Sequence, residues 1–181
     1  EIDKAIKTAK DLTMNTIIVQ TSIDEKVIYD TSSAQKLYDD FDAMEYAVKR
    51  AREEDLYIFA SFDVSDYKNT GFSSSLSVGG SGISELSQNL AEFSKKYKLD
   101  AVLIDGYTNE RQEKSYAQYM QIGGAIGFDN FMREYPQAVI ESSSRIIKKV
   151  SPSTQVGLLA DSVWANKSEN EQGSETNAVF T

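Results

Sequence analysis

The sequence predicts an α/β fold, a parallel sheet covered by helices, and three observations carry that prediction. A helix-patterned segment followed by a short β-branched run occurs four times in series. Helix-to-strand links are terse (DLTM, EDL, KLD, SPST), whereas the strand-to-helix links 22–41, 64–82 and 106–128 are far longer than the usual few residues. No composition shift divides the chain, so its 181 residues read as a single domain.

The first unit places Ile2, Ala5, Ile6, Ala9 and Leu12 at helical spacing and continues into NTIIVQT, 15–21. In the second, Met44, Ala47, Val48 and Ala51 form the stripe ahead of YIFASFD, 57–63. The third joins Ile83, Leu86, Leu90, Phe93 and Tyr97 to AVLID, 101–105. A fourth helix spans roughly 129–150, with Phe131, Tyr135, Val139, Ile146, Ile147 and Val150 inward, and precedes QVGLLADSVW, 155–164. The polar tail ANKSENEQGSETNAVFT, 165–181, carries neither pattern. With no initiating Met, it leads to the expectation of an excised or incomplete chain.

Composition excludes several classes of function. A formal charge of −9 and a pI near 4.6 repel phosphate backbones and anionic lipid surfaces, so no nucleic-acid partner is expected. No run approaches the roughly 18 apolar residues of a membrane-spanning helix, and EIDKAIKTAK is not a signal peptide. With no His and no Cys, the chain cannot host a Ser-His-Asp or Cys-His nucleophile system, a zinc site of the usual ligands or a disulfide. Acid–base chemistry falls to Asp and Glu, with Tyr and Lys as weaker candidates. No cofactor is expected. GGSGIS, 79–84, opens a helix but lies too far beyond a strand end for a dinucleotide fingerprint. It acts as a hinge in GFSSSLSVGGSG, 71–82, which has the composition of a mobile flap. NKS, 166–168, matches a glycosylation sequon, a pattern frequent by chance.

The long loops all leave the C-terminal ends of the strands, the edge that holds the site in parallel α/β proteins, whether the sheet is open or closed into a barrel. The last polar residues there are Gln20, Asp63, Asp105, and Asp161 with Trp164. An Asp at a strand end commonly just starts a turn or caps a helix. Asp105 differs, because Ala101–Ile104 is continuously apolar and Gly106 already supplies the freedom a turn needs. A half-buried carboxyl there would hold a proton it can donate. Tyr29, Tyr67, Phe72, Tyr107, Tyr116, Tyr119 and Trp164 crowd the same edge. Aromatic platforms beside carboxylates and amides suit the flat faces and hydroxyl rims of sugars, although a Tyr also serves to anchor its own loop.

The segment SPSTQVGLLADSVWANKSENEQGSET, 151–176, resembles the glycosyl-hydrolase-like family 10 of secreted bacterial TIM barrels. That family's fifth strand ends in a Trp-x-Asn-Lys-Ser-like stretch followed by Gly-Ser-x-Thr, matched here by Trp164, Asn166, Lys167, Ser168, Gly173, Ser174 and Thr176. MNTIIVQT with VIY looks like the family's second strand and loop, and LDAVLIDGY like its fourth strand. This chain has Gln20-Thr21-Ser22 for the family's Gln-Val-Arg, FASFDVS for its His-Ala-Trp-x-Asn, and TNE for its Arg-Tyr-Pro.

The resemblance implies that residues 1–181 form about half of a (β/α)8 barrel, approximately strands two to five. It also implies an extracellular or cell-surface glycoside hydrolase acting on a poly- or oligosaccharide through a carboxylate pair, one the general acid and the other the nucleophile or base. Asp105 is the candidate acid; the partner is expected on a later strand, with Asp63 or Asp161 as fallback. Candidate substrate contacts are Gln20, Tyr29, Asp63, Tyr107, Asp161, Trp164 and Asn166. Two alternatives stand beside this: a degenerate barrel that binds a glycan without cleaving it, and an open doubly wound domain binding a small ligand. The sequence leaves the oligomeric state open.

Overall fold

The computed structural model of the protein describes residues 1–24, 26–32, 34–63, 80–105, 127–161 and 176–180. Helix α1 (Ile2–Asp11) leads into strand β1 (Thr16–Gln20), and a small hairpin of β2 (Ser22–Ile23) and β3 (Lys26–Val27) follows. Next come α2 (Ala43–Glu53), β4 (Tyr57–Asp63), α3 (Gly80–Tyr97), β5 (Ala101–Asp105), α4 (Phe128–Val150), β6 (Gln155–Asp161) and β7 (Thr176–Phe180). Strands β1, β4, β5 and β6 pair in that order, all parallel. The fold is therefore α/β, with a parallel four-stranded sheet at its centre. Parallel crossovers are right-handed, so strands added in sequential order place the described crossover helices on the same face of the sheet. A doubly wound sheet needs its strand order to reverse, and among the described strands it does not.

Three of the helix-to-strand links use one device. Thr13, Asp55 and Lys98 each adopt a positive φ, of 56°, 56° and 52°. In each link the following residue sends its N–H back five positions: Met14 to the Ala9 carbonyl, Leu56 to Ala51 and Leu99 to Ser94. This left-handed turn satisfies the orphan carbonyls of a helix end and reverses the chain in three residues, which is why these links are short. At the other end of α2, Asp42 caps the helix by accepting the Glu45 N–H at 2.9 Å. The same carboxylate accepts the Tyr97 hydroxyl at 2.7 Å and the Asp30 N–H at 3.2 Å, tying the loop after β3 to α3.

Strand alternation splits the side chains between two environments. Ile17 and Val19 of β1, Ile58, Ala60 and Phe62 of β4, Val102 and Ile104 of β5, and Val156 of β6 face the helices. There they meet Ile6, Met44, Leu90, Phe93, Val139 and Ile147. Phe62 and Phe93 pack edge to face at 4.8 Å. Helices α3 and α4 approach across small residues, with the Ser87 and Ser143 hydroxyls 3.2 Å apart. On the other face Ala101 and Leu103 are fully buried, while Ile18 and Tyr57, towards the β1 side, are 53% and 54% exposed.

Several expectations need correction. The tail after β6 does not lack regular structure: residues 176–180 form β7, which returns antiparallel along β6 with Asp161 opposite Thr176 and Gly157 opposite Phe180. Five residues with two strong strand formers give almost no periodic signal; pairing the open edge of β6 supplies the driving force. Gly80 to Gly82 are not flap but the first residues of α3, and 71–79 lie outside the described residues. Residues 162–164 also lie outside them, so β6 is described only to Asp161. No described helix is long and apolar enough to cross a membrane.

Candidate functional site

Register brings two carboxylates together. Asp63 of β4 is the pairing partner of Asp105 of β5, and one pleat below them Ser61 stands between Gln20 of β1 and Leu103 of β5. Gly157 of β6 continues that lower row beside Leu103. Because Ala60, Phe62, Val102 and Ile104 point to the helices, Ser61, Asp63, Leu103 and Asp105 point the other way. The Asp63–Asp105 pair therefore sits at the C-terminal edge of the sheet, on the face turned away from the described helices, with Gln20 and Ser61 beneath it. Neighbouring strands lie about 4.8 Å apart, so these two residues start as close together as a parallel sheet allows. Both carboxylates are half-buried, and Gln20 is exposed. The four residues before Asp105 are fully buried, so the strand ends in the core and delivers its one ionisable group to the rim.

The other candidates divide into three groups. Asp161 ends β6 at the same sheet edge, but Ile104 pairs with Leu158, which puts position 161 two residues past the level of Asp105. Tyr29 is not at this edge. It is 4% exposed within the helix-side core, edge to face with Phe93 at 4.7 Å, and burial pushes its hydroxyl far above the usual tyrosine range. It anchors its own loop. Its ring is a larger apolar surface than the short hairpin offers elsewhere, so burying it under α3 outweighs presenting it to a ligand. Tyr107, Trp164 and Asn166 lie outside the described residues, as do Tyr67, Phe72, Tyr116 and Tyr119.

A separate cleft of about 670 Å³ opens on the helix side, lined by Asp30, Asp42, Glu45, Lys49, Lys96 and Tyr97 among others. Its polar groups are largely committed to the fold. Asp42 is the cap of α2, and Lys36 bridges Asp30 at 3.1 Å. Burial first, and the Asp42 carboxylate second, hold the Tyr97 hydroxyl far above the usual tyrosine range, so it remains a donor to Asp42. Among the described residues no group of three or more carboxylates is arranged to hold a metal ion.

Ser61 was not singled out from the sequence. The signal was present in the period-two pattern of YIFASFD: once Ala60 and Phe62 are assigned to the core, positions 61 and 63 share the opposite face.

No family model matches this chain, and no curated protein does. Among solved structures it is similar to a GH18 chitinase from Pseudoalteromonas aurantia, at 17% identity and a TM-score of 0.44, over 84% of this chain. The chain spans 50% of the length of that structure. A likeness of that size carries neither an activity nor a site residue across.

Proposed function

We propose that the protein is a hydrolase of O-glycosidic bonds, with Asp105 as general acid and Asp63 as nucleophile. The observation that carries this reading is the direct pairing of Asp63 with Asp105 on the face turned away from the described helices, at the sheet edge where parallel α/β proteins hold their sites. Cleaving a glycosidic bond is chemistry that two carboxylates perform without His, Cys or a metal. Asp63 replaces the downstream partner anticipated from the sequence, because it already stands beside Asp105. Asp105 takes the acid role because its strand is the most deeply buried up to its last residue.

In retaining glycosidases the two carboxyls lie about 5–5.5 Å apart, against about 6.5–9.5 Å in inverting ones. The strand spacing of about 4.8 Å favours the first. We further read the four helix–strand units as part of a (β/α)8 barrel. Helices on one face, sequential strand order, and Ile18 and Tyr57 exposed on the other face all fit a sheet whose inner surface is filled when the barrel closes.

The test is to incubate the protein with soluble hexasaccharides of β-1,4-glucose, β-1,4-N-acetylglucosamine and α-1,4-glucose, and to follow the anomeric protons by NMR. Cleavage of at least one with retained configuration is expected. Inversion would remove Asp63 as nucleophile. Binding without any release of reducing ends would make the protein a glycan-binding module instead.

A further inference from the structure

We infer that Ser61 is the floor of this site, its hydroxyl reserved for a polar atom of the bound sugar; the inference rests on the carbohydrate reading above. Ser61 is 4% exposed, yet among the described residues its hydroxyl has no hydrogen-bond partner. Its backbone carbonyl, by contrast, is fully used, accepting the Thr21 N–H at 3.0 Å and the Thr21 hydroxyl at 2.8 Å. Among the described residues most other buried hydroxyls are engaged, Ser22 on the β2–β3 hairpin being the exception. Thr154 Oγ1 donates to the Leu99 carbonyl at 2.7 Å, Ser94 donates to Thr154 at 3.2 Å, and Ser87 pairs with Ser143. A buried hydroxyl without a partner is destabilising, so one that faces the same side as the carboxylate pair is suited to a guest that completes it.

The position fits a guest. Ser61 points away from the described helices, one pleat beneath Asp63 and diagonal to Asp105, so it faces the same side as the carboxylates. Its row is also short of side-chain volume. Ser61 itself is small, Gly157 has no side chain, and only Leu103 rises between them. A Ser hydroxyl both donates and accepts, which matches a sugar hydroxyl or the carbonyl of an acetamido group. Gln20, the exposed register partner of Ser61, adds an amide at the same level. Ser61 is therefore a positioning residue for the sugar at the acid pair; it carries no proton in the reaction.

The experiment compares Ser61→Ala with Ser87→Ala, measuring thermal midpoint and the calorimetric affinity for the three hexasaccharides. Ser61→Ala removes a hydroxyl that no described residue bonds. It should leave the midpoint unchanged or raised while weakening hexasaccharide binding roughly three- to tenfold, the loss of one neutral hydrogen bond. Ser87→Ala breaks a bonded pair in the helix layer and should do the reverse, lowering the midpoint and sparing affinity. Unchanged affinity in Ser61→Ala would overturn the inference while leaving the carbohydrate reading standing. A lowered midpoint in Ser61→Ala would overturn it too, showing that the hydroxyl serves the fold. If the wild type binds none of the three sugars, the carbohydrate reading itself fails and Ser61 falls with it.

Discussion

Replacing Asp105 with Asn is expected to slow hydrolysis of an unactivated oligosaccharide by about 10²–10⁴-fold, the usual contribution of general acid catalysis. The amide is nearly isosteric with the carboxyl, so the sheet and glycan binding should survive the change. What is lost is the proton that a departing sugar oxygen needs. The aglycone of an aryl glycoside leaves as a stabilised phenolate and needs little protonation, so hydrolysis of that substrate should fall much less. Rates for both substrates, measured on wild type and variant, check the assignment. Equal losses on the two substrates would make Asp105 a structural or nucleophilic group, and no loss on either would remove it from the reaction.

The largest effect on stability is expected from Phe62→Ala. Phe62 is fully buried between Ser61 and Asp63 in the chain, but it faces the opposite side of the sheet, against Phe93. Phe93 in turn meets Tyr29 at 4.7 Å and Tyr97 at 4.5 Å, so one ring holds β4, α3 and the loop after β3 together. Emptying that position should cost about 3–5 kcal/mol, from lost burial and the cavity left behind. Against a typical stability of about 5–15 kcal/mol, this is a large fraction. Urea unfolding should show a clearly lower midpoint. A shift of less than about 1 kcal/mol would mean that the rings do not pack as described, and with them the assignment of faces that sets Ser61 and Asp63 together.

The regular part of the fold was legible because its signals are local. AVLID is a run of buried residues closed by one charge, and the observed strand has those same bounds, Ala101–Asp105. Met44, Ala47 and Ala51 recur at helical spacing and are all buried in α2. What was not legible depends on pairing partners remote in sequence. The β2–β3 hairpin has two residues per strand, and β7 exists because β6 offers it an edge. Thr13, Asp55 and Lys98 adopt the left-handed conformation without being Gly, so no residue type announced those turns. Tyr29 reads from sequence like any loop aromatic; only the position of Phe93, 64 residues on, shows that it is core.

The site follows the same division. That Asp63 and Asp105 end their strands is visible in the sequence, whereas their pairing is set by register, which follows from the arrangement of all the strands together. Ser61 escaped notice because a lone Ser in an apolar run usually signifies nothing, and its meaning comes from a hydroxyl at 4% exposure that no described residue bonds.

The most direct measurement is a titration of ¹⁵N-labelled Asp105→Asn protein, in which turnover should be slow, with each of the three hexasaccharides, following backbone amide shifts. Perturbations should gather at Gln20, Ser61, Asp63 and position 105, the ends of three adjacent strands on the side away from the described helices. Shifts confined instead to Asp30, Asp42, Glu45, Lys49 and Lys96 would place the ligand in the helix-side cleft and contradict the assignment of the site.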